Sequence, residues 1–492
     1  MSDSAYSWIA FGLYAVVITG VAVWSRARTR SIEAFSVGSR TVSPWLVGLS
    51  LAANLTSAAT FVINPGLIYL YGWAGVLGYA IASPLGIFIG LVVFSRKFRR
   101  IGDKTHVITV PQWIGDRFGD RRLTLGFGVL SMLQVTFLVL IVVGLSVVLR
   151  STLGITTVQA LLLVIAFSFL SMLLGGAGAH VINNTIQAAI MITVALLFLS
   201  SGLRFFDGGI AGFVERLQAV GPHYAAATNP DSMLFRDYFE VVFANFIIGF
   251  AIILQPHVIS KALYLRTESD MRRYLGMAIA VAMLFFAVLT TGLFARLALS
   301  GELLKPDVVM ATYMVEQFSP LMRAIISMGI LAAGFSTMEG ILVALSSIFS
   351  NDILTTVLPK RFTTTESWKK NSLRYARLFL VVLAPVTFFL SYDQILHPSL
   401  SVAIFAQNGV YAVFAASFAP VLVGVFGLRV ARPFVVAAAV VALLTHFGMY
   451  YFELSMYHNN PGVTAACALL ASMAVLLAGR LFAGRGKEGV TT

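Results

Sequence analysis

The chain has 492 residues, of which 58% are hydrophobic and only 11% charged, with a mean hydropathy of +0.88. Soluble domains carry about 25% charged residues, so this composition excludes a soluble globular domain and points to an integral membrane protein. The formal charge of +13 would suit a nucleic-acid binder, and the lone cysteine, Cys467, rules out an internal disulfide framework.

A hydrocarbon core about 30 Å thick takes about 20 apolar residues per helix. On that measure thirteen spans are predicted, near 6–25, 43–72, 73–95, 123–150, 154–174, 181–202, 238–262, 275–300, 318–353, 377–393, 399–426, 433–452 and 462–484. The first is expected to persist as a span, because no basic residue precedes it and Arg26, Arg28 and Arg30 follow it, the reverse of a secretory signal. Its N-terminus then faces outside. With that orientation, 27 of the 34 Lys and Arg fall in the alternate loops 26–42, 96–122, 261–273, 354–377 and 427–432 and at the end of the last span and beyond it, from Arg480 on. This is the positive-inside pattern of a plasma (inner) membrane protein with a cytoplasmic C-terminus. Topology accounts for the charge, and nucleic acid is not an expected partner.

Span two reads LVGLSLAANLTSAATFVINPGLIYLYG, with Asn54, Thr56, Ser57 and Thr60 at its centre and Pro65-Gly66 beyond. Span seven reads VVFANFIIGFAIILQPHVISKAL, with Asn245, Gly249 and Pro256. Both are expected to be broken, since irregular backbone persists in a membrane only where it faces protein or a water-filled cavity. They lie five spans apart, and an odd offset sends them through the membrane in opposite directions, as an inverted repeat requires. Taken alone, each proline or glycine is equally consistent with a simple kink.

Span nine contains LAAGFSTMEG, residues 331–340. At 100° per residue Ser336 and Glu339 point within about 60° of each other, and Thr337 lies beside Ser336. Hydroxyls in helices often only bond back to the preceding turn. A midspan carboxylate costs about 2.5–3.5 kcal/mol on insertion scales and marks a functional site by default, the alternative being a protonated structural group. No enzyme constellation competes. The seven histidines show no paired metal-ligand spacing, and the glycine-rich GGAGAH, residues 175–180, is followed by no phosphate-binding Lys-Ser/Thr.

Five motifs in order resemble those of the solute:sodium symporter family, which includes sodium/proline, sodium/galactose and sodium/sialic-acid transporters. LSLAANLTSAATFVINPG is similar to its first broken helix, and GGAGAHVINNTIQ to its GG…(W)TD..Q segment. LQPHVISKAL resembles its QPH motif, ILAAGFSTMEGILVALSSIFSNDI its helix ending in (S/N)-D-(I/L), and FAASFAPVLVG its GAAFGPVVL helix. The resemblance runs from about residue 10 to 425. It implies an all-α leucine-transporter-type fold of about thirteen transmembrane helices, with inverted repeats at 43–202 and 238–426. An extra N-terminal segment (1–42), an external loop (203–237) and two C-terminal helices with a short tail (427–492) complete it.

By the same resemblance, sodium is the coupling ion. It is held by the hydroxyls of Ser336 and Thr337 and by carbonyls of Ala53, Thr56 and Ala333. Hydroxyls and unwound carbonyls suit a hard cation. Two departures stand out: the family's aspartate aligns with Asn184, and the acidic residue of proline transporters with Leu55. Glu339 stands where sialic-acid transporters with a second sodium site have a serine, so negative charge has moved onto span nine beside the cation. A glutamate is also protonatable, so proton coupling, or none, stays open. The aromatic substrate residues of proline transporters align with Ile248 and Ile252, which argues against proline or a sugar. A short monocarboxylate or an apolar amino acid, oriented by Thr56, Ser57, Thr60 and Gln134, fits better. The expected partners are this solute, sodium and the bilayer, with self-association or an accessory subunit left open. A membrane solute sensor of the same fold is the alternative to symport.

The topology is testable by impermeant thiol labelling in a variant lacking Cys467. From outside, a cysteine placed in 203–237 should react and Arg100→Cys should not. External labelling at position 100 would overturn the predicted orientation.

Overall fold

Inside lipid a chain can satisfy its own backbone only as helix or closed barrel. The computed structural model is helical, with no strand among the described residues, which are 3–485 apart from 27–28, 30, 38–41, 303, 364–365 and 398–400. The tail beyond 485 and parts of the basic loops 26–42 and 354–377 lie outside the described residues. Among the described residues ten helices are long and apolar enough to span a membrane, and two bent pairs bring the total to as many as twelve. The count is one below the sequence reading because Thr157–Ser201, two helices joined across a kink between predicted spans five and six, enters once.

That helix is interrupted at Gly176, whose φ of 63° and ψ of −162° are non-helical. Ser171 and His180, on either side, both approach Glu339, at 2.8 Å and 3.6 Å. In a straight helix they would stand about 13 Å apart along the axis, so the bend is sharp. The carbonyl it frees at Gly175 accepts hydrogen bonds from Thr29 Oγ1 (3.0 Å) and Ser25 Oγ (3.3 Å). The GGAGAH stretch is therefore a backbone device: glycine supplies the positive φ that other residues adopt only with strain.

Span two is the pair Pro44–Leu55 and Ala59–Tyr71, bent by 52°, and span seven the pair Phe239–Ile252 and Pro256–Tyr264, bent by 57°. The first break falls at the extended Thr56 (φ −115°, ψ 109°) and Ser57, and Ser57 Oγ accepts from the Ala59 N–H at 3.1 Å. Pro65-Gly66 does not break the span. Pro65 lies inside the continuous helical run Ala59–Tyr71, just after its wide π-helical turn Ala59–Ile63, and Gly66 lies against the backbone of Pro306. The second break ends at Gln255 (ψ 133°), with Pro256 opening the second half of the span.

Span nine, Pro320–Ile348, is the central post, buried at every residue from Ile326 to Val343. Its Gly329, Gly334 and Gly340 lie against Val194, Leu145 and Asn54 of three neighbouring helices. Small residues likewise bring spans three and seven together, with Gly86 against the Phe246 carbonyl and Gly249 against the Ser83 carbonyl. A Cβ at Gly249 would stand 2.0 Å from Ser83 O, whereas one at Gly276 would meet nothing within 4 Å. Gly249→Ala should therefore cost about 1–3 kcal/mol through overpacking, read as a lower melting temperature in detergent, with Gly276→Ala unchanged. Equal melting of the two variants would show that spans three and seven do not pack so closely.

Candidate cation and solute site

The break in span two ends the Pro44–Leu55 helix inside the protein and frees its last carbonyls. Span nine meets them with hydroxyls. Ser336 Oγ lies 2.9 Å from Ala53 O and 2.8 Å from Ala333 O. Thr337 Oγ1 lies 3.3 Å from Asn54 O, 3.5 Å from Thr56 O and 3.4 Å from Ala333 O. The five sequence-predicted oxygens, of Ala53, Thr56, Ala333, Ser336 and Thr337, thus converge, and Asn54 O joins them. Oxygens about 2.4 Å from a hard cation and at right angles are roughly 3.4 Å apart, a spacing the Thr337 distances suit, while Ser336 stands at direct hydrogen-bond distance from its two carbonyls. The back-bond to Ala333 is present as well, so the hydroxyls serve both their own helix and span two. Thr56 turns its own hydroxyl to Ala52 O, at 2.8 Å, leaving its carbonyl for the cluster.

Asn184 lies at the edge of this cluster. Its Nδ2 donates to Ser50 O at 3.3 Å and to Ser336 O at 3.5 Å, tying the first half of span two to span nine. Glu339 is fully buried one turn beyond Ser336. One carboxylate oxygen accepts from Ser171 Oγ at 2.8 Å, and the other lies 3.6 Å from His180 Nδ1. Among the described residues no group of three or more His, Cys, Asp or Glu is placed to hold a metal ion. The cluster offers neutral oxygens instead.

Beyond the break, residues of spans two, three, four, seven, eight and eleven line a cavity of about 120 Å³. Ser57, Thr60, Ile248 and Ile252 line it as predicted, and so does Leu55. Gln134 does not. It is fully buried in the 3₁₀ turn Met132–Gln134, and its carboxamide has no partner among the described residues. The cavity-facing stripe of that span begins one turn later, at Phe137 and Leu140, because the tighter 3₁₀ turn shifts the face that a regular helix would present.

The sequence reading missed Tyr79, Gln255, Gln407 and Tyr411, all on the cavity wall. Gln255 was in view within the QPH motif; its Oε1 is buried without a partner. On the outer side Gln407 Nε2 donates to Tyr79 Oη at 3.4 Å, and Phe235 packs edge-on against Tyr79. No side chain on the wall carries a charge. Lys261 was also missed, having been counted with the cytoplasmic loop; it is 1% exposed, with its ammonium on Ser50.

Comparison with known proteins agrees with this geometry. The model of the Sodium:solute symporter family matches residues 35–441. The chain is 25% identical over 411 residues to the sodium/pantothenate symporter of Haemophilus influenzae, covering 82% of each protein. It is 25% identical over 463 residues to the high-affinity proline transporter PutP of Bacillus subtilis, covering 91% of this chain and 93% of that one. Among solved structures, a Na+-coupled sialic acid symporter superimposes with a TM-score of 0.77 at 18% identity, over 97% of this chain and 98% of that one.

If the converging oxygens seat the cation, Ser336→Ala and Thr337→Ala each remove one ligand and leave the carbonyls in place. Each should weaken sodium affinity at least about tenfold, about 1.4 kcal/mol, with expression retained. Titration of sodium binding to the purified variants measures it, and full affinity in the double variant would refute the assignment.

Proposed function

The chain belongs to the sodium:solute symporter family, and from that membership we propose that it imports a small organic monocarboxylate together with sodium. It is a multi-pass membrane transporter of leucine-transporter-type fold, not an enzyme. The observation that carries the reading is that the cation cluster and the uncharged cavity meet at one point, Thr56-Ser57, where span two unwinds. A solute in the cavity and a cation in the cluster would share the same hinge, which is what coupling needs. Residues 43–202 and 238–426 are then the two repeats that rock about it, with the N-terminus outside.

The wall supports a carboxylate over an apolar amino acid. With Leu55 in place of an acidic residue, the wall offers no carboxylate to an ammonium group. The outer half of span two begins at Ala59, beside Ser57 and Thr60. A helix N-terminus favours an anion, and the two hydroxyls can donate to it. The apolar side, Phe137, Leu140, Ile248 and Ile252, takes the hydrocarbon part, and the carboxamides of Asn245 and Gln255 suit an amide or hydroxyl on the solute. Pantothenate, the solute named for the Haemophilus influenzae relative, is a hydroxylated amide carrying one carboxylate and so has this chemistry.

The electrical behaviour gives a test. A potential of about 100 mV supplies about 2.3 kcal/mol per charge moved, but one sodium with one monoanion moves no net charge. In proteoliposomes a tenfold inward sodium gradient should concentrate pantothenate or a shorter monocarboxylate about tenfold, with little response to an imposed potential. Strong stimulation by the potential would mean a neutral solute or two cations. Failure of every monocarboxylate to accumulate would end the reading.

A further inference from the structure

Lys261 is a lysine inside the protein, 1% exposed, on the inner half of span seven. Its ammonium donates to Ser50 O at 2.8 Å and Ser50 Oγ at 2.6 Å, both neutral acceptors. A buried charge with only neutral partners is costly, so an opposite charge is expected within reach of its field. Glu339 is a fully buried acidic side chain that the hydrogen bonds place behind the same cluster. The link is short. Lys261 and Asn184 share Ser50 O, Asn184 also donates to Ser336 O, and Glu339 follows Ser336 by one helical turn.

A buried basic side chain and a buried acidic one thus stand behind one group of neutral oxygens. Glu339 alone, in a poorly screened interior, would hold a cation strongly and oppose its release. A transported ion must bind well enough to enter and loosely enough to leave. We propose that Lys261 is a resident counter-charge to Glu339 that sets the affinity of the cation seat, lowering it to a value from which sodium can depart. The proposal rests on the assignment of that seat to sodium. Lys261 is not itself a ligand and acts through its field, so removing its charge should tighten sodium binding, whereas a purely structural role would weaken binding or lower the yield of folded protein.

The test is radioactive sodium binding to the purified full chain, with size-exclusion profiles to verify folding. Lys261→Met should bind about tenfold more tightly than wild type and Glu339→Gln about tenfold more weakly, the scale expected of one charge in a low-dielectric site. Lys261→Arg, which keeps the charge, should stay within about threefold of wild type, and so should the double variant Lys261→Met/Glu339→Gln, in which both charges are absent. The double variant buries no lone charge, so it decides the matter even where Lys261→Met does not fold. Unchanged or weaker binding in folded Lys261→Met, or a double variant no tighter than Glu339→Gln, overturns the proposal. Wild-type protein that binds no sodium would sink the seat and the counter-charge together. Loss of binding on removing the Ser336 and Thr337 hydroxyls, with Lys261→Met unchanged, would leave the seat standing and reject Lys261 alone.

Discussion

A peptide carbonyl released from its helix inside a membrane has no water to bond, and the centre of this protein is organised around that constraint. Span two stops being a helix at Thr56, and the carbonyls of Ala53, Asn54 and Thr56 turn toward Ser336 and Thr337. Without the hydroxyls of span nine the break would be an unsatisfied defect in lipid. With them it is a pocket of oxygens. The burial of span nine follows, since a helix that supplies these partners must pack on all sides. Its glycines let the helices carrying Val194, Leu145 and Asn54 come close enough to enclose it.

The polar groups behind this pocket are arranged by the same economy. Ser50, Asn184 and Ser336 form a run of shared hydrogen bonds from span seven through span two to span nine. The sharp bend at Gly176 brings Ser171 and His180 to the same carboxylate. Bend, carboxylate and lysine are therefore one assembly: straightening the helix at Gly176 would carry one of Glu339's neighbours away from it. The cavity beyond the break, in contrast, has no charged side chain on its wall. The buried charged residues Glu339 and Lys261 lie on the side of the oxygen cluster.

Much of this was legible in the sequence because it depends on residue types that are out of place in lipid. Asn54, Thr56 and Ser57 marked the first break, and the hydroxyls and carboxylate of span nine marked its partner. What escaped depended on geometry that composition does not carry. Pro65-Gly66 has the composition of a break but lies inside the helical run Ala59–Tyr71, with Gly66 serving a contact to Pro306. Gln134 was expected to orient the solute but is buried in a 3₁₀ turn off the cavity wall. Lys261 was assigned to the cytoplasm because charge-topology rules weigh position along the chain, and a helix end that tucks inward looks the same as one that reaches water.

The composition of the oxygen cluster has a consequence for how such a protein diverges. Most of its oxygens, those of Ala53, Asn54, Thr56 and Ala333, are peptide carbonyls rather than side-chain groups. Substitution at Ala53 or Ala333 leaves the donated atom in place, provided the new side chain fits. The cavity wall is built mostly from side chains, each open to replacement. Over evolutionary time the ion can therefore stay fixed while the cargo drifts, and two chains that look dissimilar at these positions can still hold the same cation.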